Sequence, residues 1–171
     1  ATLIERCARI KAAGGAVAFD SNHRPALWEG DDAARAAHAA MWSATTVALP
    51  SRDDEAALHP GESVADLVAR LHRAGVGEVA LKDGLAGPHL ALEGRLLPRE
   101  AFPPAKRVVD TTAAGDGFNA GYLAARLQGH GVEAAALAGH ALAGRASSAR
   151  GARDHPARLP LTSPRPWPRA R

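Results

Sequence analysis

Short apolar runs alternate along this chain with longer stretches whose apolar residues recur at helical spacing, and that alternation narrows the fold more than any other feature. Residues 16–19 (Ala-Val-Ala-Phe), 45–49 (Thr-Thr-Val-Ala-Leu) and 78–81 (Glu-Val-Ala-Leu) read as strands. Residues 2–13, 31–43 and 62–74 read as the helices between them. The acidic pair Asp31-Asp32 opens the second helix; Val64, Leu67, Val68 and Leu71 share one face of the third, and Gly75 closes it. Strands that follow one another through a helix pair in parallel, because the crossover returns the chain to the same end of the sheet. The expected fold class is therefore α/β, a mostly parallel, doubly wound sheet flanked by helices. Residues 88–97 read as a short hairpin around Glu93-Gly94, residues 108–109 as a last core strand, and residues 116–128 and 132–149 as two closing helices.

In open sheets of this class ligands bind beyond the carboxyl ends of the strands, so the residues that follow each strand carry the chemistry. The richest such segment is Asp110-Thr111-Thr112-Ala113-Ala114-Gly115-Asp116-Gly117-Phe118-Asn119, lying between the strand of residues 108–109 and a helix. Residues with little or no side chain at 113–115 let a polyanion approach the backbone, where the free N–H groups of a helix start point outward at the positive end of the helix dipole. Asp116, in the same turn, reads either as a helix cap or as a base beside a bound phosphate.

Composition bounds the rest. A chain of 171 residues with 46% hydrophobic and 23% charged residues suits one globular domain. Cys7 is the sole cysteine, which rules out an intramolecular disulfide, and no run of 18 uncharged apolar residues or signal-peptide pattern occurs, so a cytoplasmic protein without membrane attachment is expected. The net charge of +3 is uneven: residues 150–171 hold six arginines against Asp154, so the basic character belongs to a tail. That tail contains five prolines and no recognition module beside it, and neither nucleic-acid binding nor a folded role is expected for residues 155–171. The histidines show no zinc spacing, no Walker-type phosphate loop or complete dinucleotide fingerprint is present, and no serine lies in a nucleophile elbow.

The 110–119 segment resembles the second signature of the ribokinase-like (PfkB) carbohydrate kinases, and its Ala-Ala-Gly-Asp form is similar to that of the 2-keto-3-deoxygluconate kinases among them. A second segment, Asp20-Ser21-Asn22-His23-Arg24-Pro25-Ala26-Leu27-Trp28, resembles the Asp-x-Asn-x-Arg-Pro-x-Leu-Trp stretch of the same group. A third, Lys82-Asp83-Gly84-Leu85-Ala86-Gly87, is similar to the family's Lys-x-Gly-x-x-Gly segment along the nucleotide. The resemblance implies an ATP-dependent kinase that transfers the γ-phosphate to a hydroxyl of 2-keto-3-deoxygluconate. Asp116 would be the base, and Ala113, Ala114 and Gly115 would hold the transferring phosphoryl group; Arg24 would pair with the sugar's carboxylate. Asn22, Lys82, Gly84, Gly87 and His140 would border ATP. Magnesium would be served by Asp54, whose place in an acidic cluster opening a helix is equally explained by the helix dipole. A monovalent cation would lie near Asp110.

The implied partners are a sugar acid and ATP; homo-oligomerisation of the complete protein stays open. The resemblance spans residues 1–154 and only the C-terminal part of such kinases, without their Gly-Gly signature and β-sheet lid, so the expectation is a fragment that is inactive in isolation. Another sugar kinase of the family, such as a fructokinase, and a non-catalytic nucleotide-binding remnant are the alternative readings.

Overall fold

The computed structural model describes residues 2–99, 101–102, 113–148 and 167. They fall into two compact units, the first holding the chain up to Asp83 together with His89–Arg99, the second Gly84–Pro88 and Glu100–Arg169. The strand expected at residues 108–109 lies outside the described residues, as does Asp110.

The first unit is a five-stranded sheet with four α-helices. Its strands are β1 (Ala18–Phe19), β2 (Val47–Ala48), β3 (Glu78–Leu81), β4 (His89–Leu92) and β5 (Arg95–Leu96), side by side in that order. β1, β2 and β3 pair in parallel, with Ala18 beside Val47 and Val47 beside Glu78; β4 is antiparallel to both β3 and β5, so β4 alone runs against the other four. β1 and β2 are shorter than the sequence suggests. Ahead of β1 the Val17 amide is held by the Thr46 hydroxyl at 2.8 Å, a side-chain bond where a regular ladder would use backbone. The β4–β5 turn falls on Glu93-Gly94 as expected: both residues have positive φ (47° and 75°), the geometry whose twist matches paired strands.

The helices are set by local chemistry. α1 (Leu3–Ala12) begins in a capping box, the Thr2 hydroxyl accepting from the Glu5 amide while the Glu5 carboxylate accepts from the Thr2 amide. α2 (Asp31–Ser43) opens with Asp31 and Asp32 at the positive end of its dipole. α3 (Arg52–Leu58) and α4 (Val64–Arg73) are capped by Ser51 and Ser63. The Ser63 cap explains why α4 starts two residues later than its periodicity suggests; Glu62 is used instead as a partner of Arg70, which it meets at 2.7 and 2.8 Å. α4 buries Leu67, Val68 and Leu71 against Trp42 of α2, Ala48 of β2, Val79 and Leu81 of β3 and Ala91 of β4. Phe19 packs edge-on against Trp42 with ring centres 4.6 Å apart.

At the end of the sheet where β2 and β3 begin, the Lys11 ammonium donates to three carbonyls, Ser43 at 2.9 Å, Thr45 at 2.8 Å and Gly75 at 2.8 Å. One residue of α1 thereby satisfies the open ends of α2 and α4. Burial lowers its pKa, yet three short bonds to carbonyl oxygens favour the charged form, which we take as the state in the fold.

The second unit is built on α5 (Ala114–Leu127) and α6 (Val132–Ser148). The two helices touch through glycines: a Cβ on Gly121 would stand 2.7 Å from the Ala138 carbonyl, and one on Gly139 would stand 2.8 Å from the Phe118 carbonyl. Arg126 is buried, donates to the His130 carbonyl at 2.6 Å and lies 5.3 Å from the centre of the Trp167 ring. Trp167 is the one described residue of the basic tail. Among the described residues no helix is long and apolar enough to cross a membrane.

Replacing Lys11 by methionine leaves three carbonyls without their shared donor. The expected loss is about 2 kcal/mol of unfolding free energy. Urea denaturation of the two proteins measures it, and a difference within about 0.5 kcal/mol would mean that water replaces the ammonium freely.

Candidate functional site

In the first unit the parallel ladder continues past the strands themselves. The Leu49 amide donates to Phe19, the Lys82 amide to Pro50 and the Arg52 amide to Lys82, each at 2.9 Å. Asp20, Ser51 and Lys82 therefore leave the sheet at one edge, where the carboxylate of Asp20 and the ammonium of Lys82 form an ion pair with both side chains largely covered. The pair reaches across β2, joining the segment after β1 to the segment after β3. Lys82, expected to border the nucleotide, is thus also a tie between two loops.

Beyond Asp20 the chain turns tightly. Its other carboxylate oxygen accepts from the Asn22 amide at 3.2 Å, and Asn22 takes a positive φ of 36°, which asparagine tolerates better than most residues. Pro25–Leu27 then forms a single 3-10 turn that presents Arg24 and Asn22 to solvent. His23, between them, points inward and is 5% exposed. Its amide donates to the Asp54 carboxylate at 3.1 Å, while the Asp54 amide is capped by Ser51. Asp54 hence fastens the segment of residues 20–28 to the start of α3.

Asp83 gathers positive charge. One of its oxygens accepts from His89 at 3.0 Å and from Arg52 and Arg99 at 3.2 Å each. Burial by itself would raise its pKa; the His89 hydrogen bond and the charge and hydrogen bond of Arg52 outweigh burial and hold it below the ordinary carboxylate value. Glu55, 2% exposed on α3, is paired with Arg70 at 2.8 Å.

In the second unit α5 begins at Ala114, two residues earlier than its apolar pattern suggests, with Ala113 as the N-cap and no side chain capping it. The first intrahelical bond of the turn is Gly117 to the Ala113 carbonyl at 2.9 Å. The amides of Ala114, Gly115 and Asp116 precede that bond and have no intrahelical acceptor, and Asp116 stands exposed in the same turn. This is a short arc of N–H donors with a carboxylate beside it. Gly84 and Gly87 flank the 3-10 turn Gly84–Ala86 with positive φ values of 53° and 80°. A Cβ on Gly87 would come within 2.3 Å of the Phe102 ring, and that ring lies 5.2 Å from the ring of His140 on α6. Gly87, Phe102 and His140 are therefore neighbours.

Asn22, Arg24, Asp54 and Lys82 are accordingly brought together by the first unit, and Gly84, Gly87, Ala113, Ala114, Gly115, Asp116 and His140 belong to the second; Asp110 lies outside the described residues. Sequence reasoning gave Asp20 and Asp83 no role, and the signal it could have used is register. Asp20 and Lys82 each directly follow a strand at the same end of the parallel sheet, Lys82 two residues beyond the position level with Asp20. Among the described residues no group of three or more His, Cys, Asp or Glu side chains could hold a metal ion.

A mostly parallel sheet whose strands are joined by helices defines the first unit as an α/β structure. Residues 1–158 match the pfkB family carbohydrate kinases, and the chain belongs to that family. It is 42% identical over 154 residues to the 2-dehydro-3-deoxygluconokinase of Escherichia coli K12, covering 88% of this chain and 48% of that protein. Among solved structures, the PfkB protein from Polaromonas sp. JS666 aligns with a TM-score of 0.73 and 28% identity over 83% of this chain and 46% of its own. The aminoimidazole riboside kinase from Salmonella enterica, in complex with aminoimidazole riboside and an ATP analogue, aligns with a TM-score of 0.74 and 27% identity over 86% and 51%. The fold is ribokinase-like, and the chain spans about half the length of the curated relatives it matches.

Asp83→Asn should cost about 1 kcal/mol at neutral pH, a modest figure because Arg52 and Arg99 are half exposed and screened. A carboxylate with a depressed pKa stabilises the fold above its ordinary value near 3.9 and loses that contribution as pH falls through the folded value. The gap between wild type and variant, followed by denaturation at several pH values, should close in acid; a gap that ignores pH contradicts the assignment.

Proposed function

We propose that this chain is the nucleotide-binding and catalytic half of an ATP-dependent sugar kinase whose acceptor is 2-keto-3-deoxygluconate. The observation that carries the reading is the first turn of α5, where amides without an intrahelical acceptor and the Asp116 carboxylate occupy one turn. Phosphoryl transfer asks mainly for in-line positioning, neutralisation of the charge on the transferring group and one acceptor for the hydroxyl proton. The Ala114 and Gly115 amides supply N–H donors for the phosphoryl oxygens, and Asp116 takes the proton from the attacking hydroxyl. Ala113 and Gly115 matter by their size, since larger side chains would bar the phosphate from the backbone.

Arg24, exposed on the turn after β1, suits the planar carboxylate of an acid sugar, to which a guanidinium can donate two parallel bonds. Asn22 and Lys82 of the first unit, and Gly84, Gly87 and His140 of the second, are the residues this reading assigns to ATP by family resemblance. The similarity to 2-dehydro-3-deoxygluconokinases supports the acid sugar as acceptor, and the Salmonella relative with its bound ATP analogue supports the donor. Magnesium held chiefly by nucleotide phosphates and water needs only one or two protein carboxylates, a role this reading gives to Asp54. Asp54 would face that ion while its Oδ2 keeps the His23 amide. When bound, the ion neutralises phosphate charge; a monovalent cation near Asp110 belongs to the same proposal.

The test joins this chain in frame to the N-terminal half of the Escherichia coli relative and measures 2-keto-3-deoxygluconate-dependent ADP formation. Asp116→Asn should lower kcat by about 10²- to 10⁴-fold with binding of an ATP analogue retained; undiminished turnover would refute the base assignment. In the same protein Arg24→Ala should raise KM for the acid sugar by about tenfold or more while leaving KM for ATP unchanged. Equal effects on both substrates would remove Arg24 from the sugar site.

A further inference from the structure

Behind the segment of residues 20–28 lies a set of buried polar groups that the kinase reading does not use. His23 and His38 are 5% and 6% exposed. Both ring nitrogens of His23, Nδ1 of His38, the Ser21 hydroxyl and Oε1 of Glu55 are buried without a hydrogen-bond partner in the structure. Buried polar atoms are ordinarily paired, so such a concentration beside one loop calls for a functional reason.

The geometry makes His38 the hub. From α2 its ring meets Phe19 at the end of β1 (centres 6.1 Å apart), His23 (5.9 Å) and Trp28 (5.5 Å), each nearly edge to face. These three residues bracket the segment that carries Asn22 and Arg24, so one ring seats its beginning, middle and end. A neutral imidazole serves as an apolar wedge here, whereas an imidazolium in the same place must shed its hydration against aromatic rings.

We propose that His38 is a proton-sensitive positioning residue: neutral, its ring seats residues 20–28 against α2, and on protonation it releases them, taking Asn22 and Arg24 out of register with the end of β1. The groups facing His38 are His23 from the segment itself, Asp54 and Glu55 from α3, and His59 just beyond α3. Burial is the largest influence on its pKa and lowers it; Glu55 opposes, His23 lowers it further, Asp54 opposes and His59 lowers it. The net shift is downward. A histidine whose folded pKa is depressed contributes stability above its ordinary value near 6.5 and loses it as pH falls through the folded value. The seated segment is therefore the neutral-pH state, and release accompanies acidification. The seating stands on packing alone; only its consequence, weaker binding of an acid sugar below neutral pH, rests on the kinase reading.

Amide hydrogen exchange on this chain tests the seating without sugar or nucleotide, so failure of the kinase reading would leave the result unaltered. The reporting amides are those of Asn22, His23, Leu27 and Trp28, which bond to Asp20, Asp54, Arg24 and Pro25. The reference amides are those of Val47 and Lys82, which belong to the parallel ladder. From about pH 7.5 to about pH 5, protection factors of the four should fall while the references hold, by up to about tenfold for each pH unit separating the folded and open pKa values of His38. In His38→Phe, which keeps an aromatic ring and cannot titrate, the fall should vanish. Constant protection in the wild type, an identical fall in His38→Phe, or simultaneous loss at Val47 and Lys82 would each overturn the proposal. If His38→Phe does not fold, the His38 Cε1 proton titration by NMR decides. Protection must fall above that midpoint and level off once pH drops below it, and a fall confined to lower pH overturns the proposal.

Discussion

Parallel pairing of β1, β2 and β3 governs the first unit, because strands that run the same way release their following segments at one edge. At that edge the ladder continues past the strands through the Leu49, Lys82 and Arg52 amides, and the side chains that meet there are Asp20 and Lys82, far apart in sequence, with Lys82 two residues beyond the position level with Asp20. Parallel strands also require crossovers, and the helices that supply them end at the opposite edge with carbonyls to satisfy. Lys11 collects three of those carbonyls. The ion pair at one edge and the ammonium at the other are two consequences of a single topology.

The second unit solves a different problem, which is how to leave a helix start open. Most helices cap their first amides with a side chain, as α1, α3 and α4 do here through Thr2, Ser51 and Ser63. α5 has alanine at its N-cap and makes no such bond. Its stability comes instead from contact with α6 at Gly121 and Gly139, where any side chain would meet backbone below 3 Å. Tight packing further along the helix offsets the missing cap, and the amides of the first turn keep no intrahelical acceptor.

The segment between β1 and α2 combines exposure and restraint. Asn22 and Arg24 face solvent while Ser21 and His23 turn inward, an alternation that follows from the turn begun by Asp20. Its restraints are the Asp54 carboxylate on one side and the His38 ring on the other. A segment held by a few polar bonds and aromatic edges is fixed less firmly than the sheet, and that marginal seating makes its position responsive to a single proton.

The sequence by itself determined what local physics determines. Helical periodicity, the Asp31-Asp32 start of α2, Gly75 after α4 and the Glu93-Gly94 turn act within a few residues, and the corresponding elements stand within one or two residues of where they were expected. The motif segments at residues 20–28, 82–87 and 110–119 were also legible, because each is an unbroken stretch that resembles a family signature. Strand lengths were not legible, since the extent of β1 and β2 depends on which partner groups are within reach, including the Thr46 hydroxyl. The tertiary structure alone decided the pairing of Asp20 with Lys82, the convergence of Arg52, His89 and Arg99 on Asp83, and the burial of His23 against His38. Two of these contacts, Asp20 with Lys82 and Arg52 with Asp83, join residues dozens of positions apart, and all depend on how strand ends and helices come together in space. No window of sequence contains that distance.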